Sequence, residues 1–295
     1  MDTGRIGQAK AYVLESITNM LKVPKFYKTY FNKPIRIYKN VRWRYTNRVS
    51  KEKHVFVLGA PRSGTTLIQT LIGAHPHFFS PGVETGFFTW QDIFHENRQH
   101  LGLPKKTLER FYAECSDIVE FFDKLADYVT EDRERFVEKT PQHVLKVSYI
   151  QDHFPNSHIV HIHRDGRDCF CSAREAGIPR GSDLEEFAGY WKKCVASRLE
   201  AGGKILDVEY ADLVGEPEEE MQKVMTFLDS SFELTQLQIN ARETDPRSGE
   251  EKFSRLADEV SPRSVGRWKE ELTSSELRCF DSIAQEELRA FGYEE

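Results

Sequence analysis

Two groups of residues in this sequence have the types and spacing that handle anions. In the first, Gly59-Ala60-Pro61-Arg62-Ser63-Gly64-Thr65-Thr66 joins the apolar run Val55-Phe56-Val57-Leu58 to a segment of helical apolar periodicity that stops at His75-Pro76. A strand, a tight loop and a helix in that order aim backbone N–H groups, a positive helix end and two hydroxyls at one point, which suits phosphate or sulfate. In the second, Arg164-Asp165-Gly166-Arg167-Asp168 follows the run from His158 to His163 and leads into a helix carrying Ser172. Two guanidinium groups and a hydroxyl near a helix start make another anion site. Between them, Glu84 is the single acid from Phe78 to Trp90, amid aromatic and small residues. A carboxylate in apolar company is pushed towards its neutral form and suits general-base work; an ordinary surface glutamate is the alternative. Glu138-Lys139-Thr140-Pro141 closes a short strand candidate that begins at Arg135, at the end where parallel sheets open their ligand crevice.

These groups need a scaffold, and the pattern supplies one. Strand candidates at Val55–Leu58, Arg135–Pro141, His158–His163 and Lys204–Tyr210 alternate with helical segments, which predicts an α/β fold with a central parallel sheet flanked by helices. Helices are expected from Gly64 to Ala74, from Gln142 to Phe154, onward from Asp168 to Ala176, and from Glu216 to Leu228 with Pro217 in its first turn. Ser182-Asp-Leu-Glu185 reads as a capping box for a helix to Ala201, and Thr273-Ser-Ser-Glu276 as one for a last helix through Phe291. Residues 91 to 135 read as an insertion of polar helices, and Glu243 to Pro262 as a mobile lid. His161 and His163 share one strand face, without a third metal ligand, and read as crevice-lining residues.

Composition narrows the class. Charged residues at 30% and hydrophobic ones at 39% describe a globular chain of 295 residues, with no run near the ~18 apolar residues of a membrane span. Five cysteines without a CxxC pair argue against a disulfide scaffold and for a reducing compartment, so a cytoplasmic protein is expected. Residues 1–53 carry 13 Lys and Arg against 3 Asp and Glu, leaving 28 against 44 in the remainder. They are assigned as an N-terminal extension, with an amphipathic helix from Gly4 to Leu21 and a basic, aromatic strap from Phe26 to Lys53. Interleaved aromatic and basic residues also serve single-stranded nucleic acid, but a strap packed on residues 54–295 is the preferred reading and no nucleic acid is expected.

The first loop is close to the nucleotide-binding pattern G-x-x-x-x-G-K-[ST], yet Thr65 stands where the lysine belongs and the cation sits inside the loop as Arg62. An ATP-dependent kinase or NTPase, with Asp207 as the acid that holds magnesium, is therefore the weaker reading. A catalytically silent nucleotide-binding protein is another. The set LGAPRSGTTLIQTLIGAHP, ET, EKTP, FPNSHIVHIHRDGRDCFCS, Y-x-D-L-V and SVGRWK resembles the sulfotransferases that use 3′-phosphoadenosine 5′-phosphosulfate (PAPS), in the branch of tyrosylprotein and Golgi carbohydrate sulfotransferases.

That resemblance implies a P-loop-like sulfotransferase fold over 54–295, PAPS as donor with the 3′,5′-bisphosphate (PAP) as product, no metal, and a hydroxyl-bearing acceptor that is a small molecule, carbohydrate, lipid or tyrosyl group. Arg62, Ser63, Gly64, Thr65 and Thr66 would wrap the 5′-phosphosulfate, Arg164 and Ser172 would hold the 3′-phosphate, Arg267 would close over the nucleotide and Tyr210 would line its site. Glu84 matches the base of the tyrosylprotein branch and Lys139 a lysine at the transferring group. The stretch before Glu84 is slightly longer than in that branch, which keeps His143 and His77 as alternative bases.

Overall fold

In the computed structural model, which describes residues 37–90, 103–130, 135–238 and 264–293, a sheet runs through the centre of the chain. The amphipathic helix expected at Gly4–Leu21 and the lid expected at Glu243–Pro262 lie outside the described residues. A short helix α1 at 37–43 precedes strand β1 (Val55–Gly59), helix α2 (Thr65–Gly73) and strand β2 (Phe78–Phe79). Helices α3 (Lys105–Glu114) and α4 (Ile118–Thr130) lead to β3 (Arg135–Lys139), a 3₁₀ stretch at Pro141–Lys146 and α5 (Val147–His153). Then come β4 (His158–His163), α6 (Gly166–Glu175), α7 (Leu184–Glu200), β5 (Ile205–Glu209), α8 (Tyr210–Gly215) and α9 (Pro217–Phe227). Beyond the undescribed stretch, α10 (Trp268–Glu271) and α11 (Ser274–Ala290) complete the chain.

The five strands lie in the order β2-β3-β1-β4-β5, and every pairing is parallel. Full burial of VFVLG explains why β1 is central: both faces of an α/β sheet are covered, so the strand reads as a continuous apolar run. Alternation splits that run between two cores. Phe56 and Leu58 face a cluster with Phe122, Phe136, Phe154 and Trp191, while Val55 and Val57 face one with Ile68, Leu71, Val160 and Val224. Because the strands are parallel, their C-terminal ends, Gly59, Lys139, His163 and Glu209, share one edge.

Several local expectations change. The insertion is not polar throughout: α4 buries Ile118, Val119, Phe121, Phe122, Leu125, Ala126 and Val129 and belongs to the core. The helix expected from Gln142 begins as the 3₁₀ stretch and turns α-helical only at Val147. Helix α7 is capped by Asp183, whose carboxylate accepts from the Glu186 N–H at 2.9 Å, while the Ser182 hydroxyl turns back to the Pro179 carbonyl. The Thr273 capping box of α11 is present as expected. The described part of the strap packs on the body. Trp43 is buried against Tyr112 and Phe121, and Arg44 donates to the carbonyls of Phe87 and Trp90. All five cysteines are free thiols, and no helix among the described residues is long and apolar enough to cross a membrane.

Candidate functional site

The loop after β1 is built on close approach. A Cβ on Gly59 would lie 2.4 Å from the Ile162 carbonyl of β4, and one on Gly64 would lie 2.5 Å from the Tyr210 ring. Gly64 also has φ +101°, a conformation that only glycine adopts without strain. Arg62 takes a positive φ of 70°, and the Ser63 N–H and hydroxyl both donate to the Ala60 carbonyl, at 3.2 and 2.7 Å. The loop therefore folds back on itself before entering α2, whose first residues are Thr65 and Thr66.

The second anion group reaches the same loop. Arg164, at the end of β4, is 6% exposed; it donates to the Arg62 carbonyl at 3.3 Å and to the Ser264 carbonyl, and its guanidinium lies 4.5 Å from the Tyr210 ring centre. The Arg62 Nε donates to the Ser172 hydroxyl at 3.1 Å, so the first loop and α6 are tied directly. Arg164 lines a cavity of about 180 Å³ with Arg167, Asp168, Tyr210, Gly266 and Trp268, and its Nε is buried without a hydrogen-bond partner. Arg167 is neutralised by Asp165 at 2.8 Å and stacks 3.8 Å from the Trp268 ring centre. Asp168 accepts from the backbone N–H groups of Gly266 (2.8 Å) and Trp268 (3.0 Å); burial raises its pKa, opposed by Arg164 and those two amides.

A third group joins at the end of β3. The Lys139 ammonium, fully buried, donates to the Glu84 carboxylate at 3.1 Å and to the Thr66 hydroxyl at 3.4 Å. The isolation expected for Glu84 is thus not found: a cation stands against it, and the side chain is 30% exposed. Beside it, Glu138 is completely buried and accepts from Thr85 (2.8 Å), Thr140 (2.7 Å) and His143 (2.9 Å). Burial opposes its charge, but His143 and the two hydroxyls outweigh that and its pKa lies below the ordinary value.

The structure thus gathers Arg62, Ser63, Gly64, Arg164, Ser172 and Tyr210 around one end of the crevice and Thr66, Glu84 and Lys139 around the other. Four sequence assignments stand elsewhere. Arg267 is turned to Glu175 (2.8 Å) and Glu271 (2.6 Å), so its backbone neighbours, not its guanidinium, meet Asp168. His77 is exposed and precedes β2, at the sheet edge opposite the crevice. His143 is buried with both ring nitrogens engaged, by Glu138 and by the Phe88 N–H. Asp207, considered as a magnesium-holding acid, pairs in mid-strand with Arg198 and with His161 at 2.8 Å, and its pKa falls to about 2 because those partners outweigh burial. No group of three or more His, Cys, Asp or Glu among the described residues is placed to hold a metal ion. Asp168 and Glu138 were given no role by the sequence; for Glu138 the signal available was a charged residue inside an otherwise apolar strand end.

Comparison with known proteins now adds the decisive observation. A family profile described as Sulfotransferase family matches residues 54–233, more than half of the chain. The chain belongs to the sulfotransferase family. Among curated relatives of this sulfotransferase, a Caenorhabditis briggsae protein provisionally named a protein-tyrosine sulfotransferase is 27% identical over 82% of the chain and 90% of its own length. A Drosophila melanogaster protein-tyrosine sulfotransferase is 27% identical over 81% of the chain, which spans 51% of that longer protein. The sulfotransferase domain of a Synechococcus olefin synthase superposes with a TM-score of 0.60 at 16% identity, covering 81% of this chain and 98% of its own, which shows the shared fold. The protein is an enzyme of sulfuryl transfer.

Proposed function

We propose that the donor is PAPS, that the acceptor is a phenolic hydroxyl such as that of tyrosine, and that Glu84 is the general base. The residues fit such a donor on the structure's own terms. Two glycines let the loop pack tightly against Ile162 and Tyr210, and Arg164, whose buried Nε has no hydrogen-bond partner, lines the adjoining cavity. When bound, PAPS supplies an electrophilic sulfur and a bisphosphate leaving group. Arg62, Ser63, Gly64, Thr65 and Thr66 would hold its 5′-phosphosulfate, and Arg164 with Ser172 its 3′-phosphate, the group absent from ATP. Tyr210 would line the nucleotide site, and Arg267 would contribute only after leaving Glu175 and Glu271.

One observation carries the assignment: Lys139 touches both Glu84 and Thr66, placing a carboxylate and an ammonium together at the end of the anion loop. Glu84 takes the proton of the acceptor hydroxyl as its oxygen attacks in line. Lys139 and Arg62 stabilise the charge that develops on the oxygens around sulfur, as preorganised cations do most effectively in a site with little water. The phenolic acceptor is favoured by the two tyrosine sulfotransferase relatives. The test is turnover of Glu84→Gln with labelled PAPS and a tyrosine-containing peptide. A fall on the order of 100-fold in kcat with unchanged PAP affinity is expected. Full turnover would refute the base, and tighter binding of Mg-ATP than of PAP by calorimetry would refute the donor.

A further inference from the structure

Glu138 and Lys139 are neighbours on β3 and point to opposite faces of the sheet, as strand geometry requires. Glu84 and Thr85 are also neighbours, and the two pairs meet rung on rung: Lys139 holds Glu84 at 3.1 Å while Glu138 holds Thr85 at 2.8 Å. The loop after Thr85 is tied to the same point twice more. The Gly86 N–H donates to the Thr140 hydroxyl (3.0 Å), which itself donates to Glu138 (2.7 Å), and the Phe88 N–H donates to the His143 Nε2 (3.2 Å). His143 closes the ring by donating from Nδ1 to the other Glu138 oxygen at 2.9 Å. Glu138, Thr140 and His143 are wholly buried, so no water replaces a lost partner.

The logic of this ring depends on Glu138 being a carboxylate. An ionised carboxylate only accepts, so His143 must carry its proton on Nδ1, and the lone pair left on Nε2 is what receives the Phe88 N–H. We propose that Glu138 is a positioning residue for sulfuryl transfer. By fixing the His143 tautomer and binding Thr85 and Thr140, it sets the register of residues 85–88 and so places Glu84 against Lys139 and Thr66. This rests on the assignment of Glu84 as base. Glutamine at 138 keeps the shape but not the pattern. With its amide nitrogen towards His143, the ring must take the other tautomer and its Nε2–H meets the Phe88 N–H. With the amide reversed, its two N–H groups donate to the threonine hydroxyls, whose own protons lose their buried acceptor. The first orientation breaks the Phe88 tie, and the second strands two buried hydroxyl protons beside the loop.

The experiment compares Glu138→Gln, Thr85→Val and Glu84→Gln on two peptides, one with tyrosine and one with 3-nitrotyrosine, whose phenol is already ionised at mildly alkaline pH and needs no base. For Glu138→Gln, kcat on the tyrosine peptide is expected to fall about 10- to 100-fold, the scale of a misplaced catalytic group. The loss on the nitrotyrosine peptide should be several-fold smaller, with PAP affinity unchanged. Thr85→Val, which removes one tie and leaves the Glu138–His143 pair intact, should show the same split at smaller amplitude and guards against a folding failure of the first variant. Equal losses on both peptides for Glu138→Gln and Thr85→Val, while Glu84→Gln shows the split, would overturn the positioning role alone. Absence of the split in Glu84→Gln would overturn the base assignment and the positioning role with it.

Discussion

Replacing Arg164 with glutamine separates the 3′-phosphate from the rest of the nucleotide. In the free enzyme Arg164 donates to the Arg62 carbonyl (3.3 Å) and to that of Ser264 and lies 4.5 Å from the Tyr210 ring centre, while its buried Nε has no hydrogen-bond partner. A side chain 7% exposed is poorly screened by water, so its bond to a phosphate should lie in the range of about 1.5–3 kcal/mol for bonds to charged groups. At about 1.4 kcal/mol per decade, the expected loss of PAP affinity is roughly 10- to 150-fold. The substitution also removes the contacts to Arg62, Ser264 and Tyr210, and a cycle corrects for them: adenosine 5′-monophosphate, which lacks the 3′-phosphate, should lose little. Isothermal titration of both ligands against both proteins gives the difference directly. Equal losses for the two nucleotides, or undiminished PAP affinity, would remove Arg164 from the 3′-phosphate site.

Two further outcomes follow from the backbone and from buried histidine. Gly64→Ala combines a left-handed φ with a Cβ 2.5 Å from Tyr210 and should cost about 2–5 kcal/mol in denaturant unfolding. Gly177→Ala, at φ +60° with nothing within 4 Å, should cost only about 1–2 kcal/mol and keep PAP binding; equal costs would mean that the Tyr210 contact is soft. His163 has its pKa lowered to about 4, mainly by burial. The unfolded chain, with a histidine pKa of about 6.5, therefore takes up the proton first, so this contribution is complete above that pH and is lost as pH falls towards about 4. His163→Phe, which keeps the ring against Phe291, should flatten the acid limb of the stability curve by up to about 3 kcal/mol, and an unchanged slope would place the acid sensitivity elsewhere.

Much of the scaffold was legible because it is local. The apolar run of β1, the glycine spacing of its loop and the Thr273 box each state their structure within a few residues, and all stand as expected. What escaped depends on partners far along the chain. Helix α4 has enough charge to read as surface, but its apolar positions meet the face of the sheet that carries Phe56 and Phe136. Asp183 rather than Ser182 caps α7 because both residues are competent caps and only the entry angle of the chain selects between them. Asp207, which the weaker kinase reading would use to hold magnesium, is instead held by Arg198 and His161, both distant from it until the chain folds. Glu138 gives the clearest case. A glutamate beside a functional lysine invites a catalytic reading, but the alternation of the strand sends it to the other face, into a ring of buried donors.

The grip of Asp168 on the segment after Ser264 is exerted on main-chain amides, those of Gly266 and Trp268, and not on side chains. A handle of that kind is indifferent to most of the letters it holds. Outside Gly266, whose φ of +73° favours glycine, and Trp268, whose ring stacks on Arg167, that grip asks little of the segment's side chains. Lys269, which lines the cavity beside Arg164, is then a position where the charge at that cavity can change without undoing the docking.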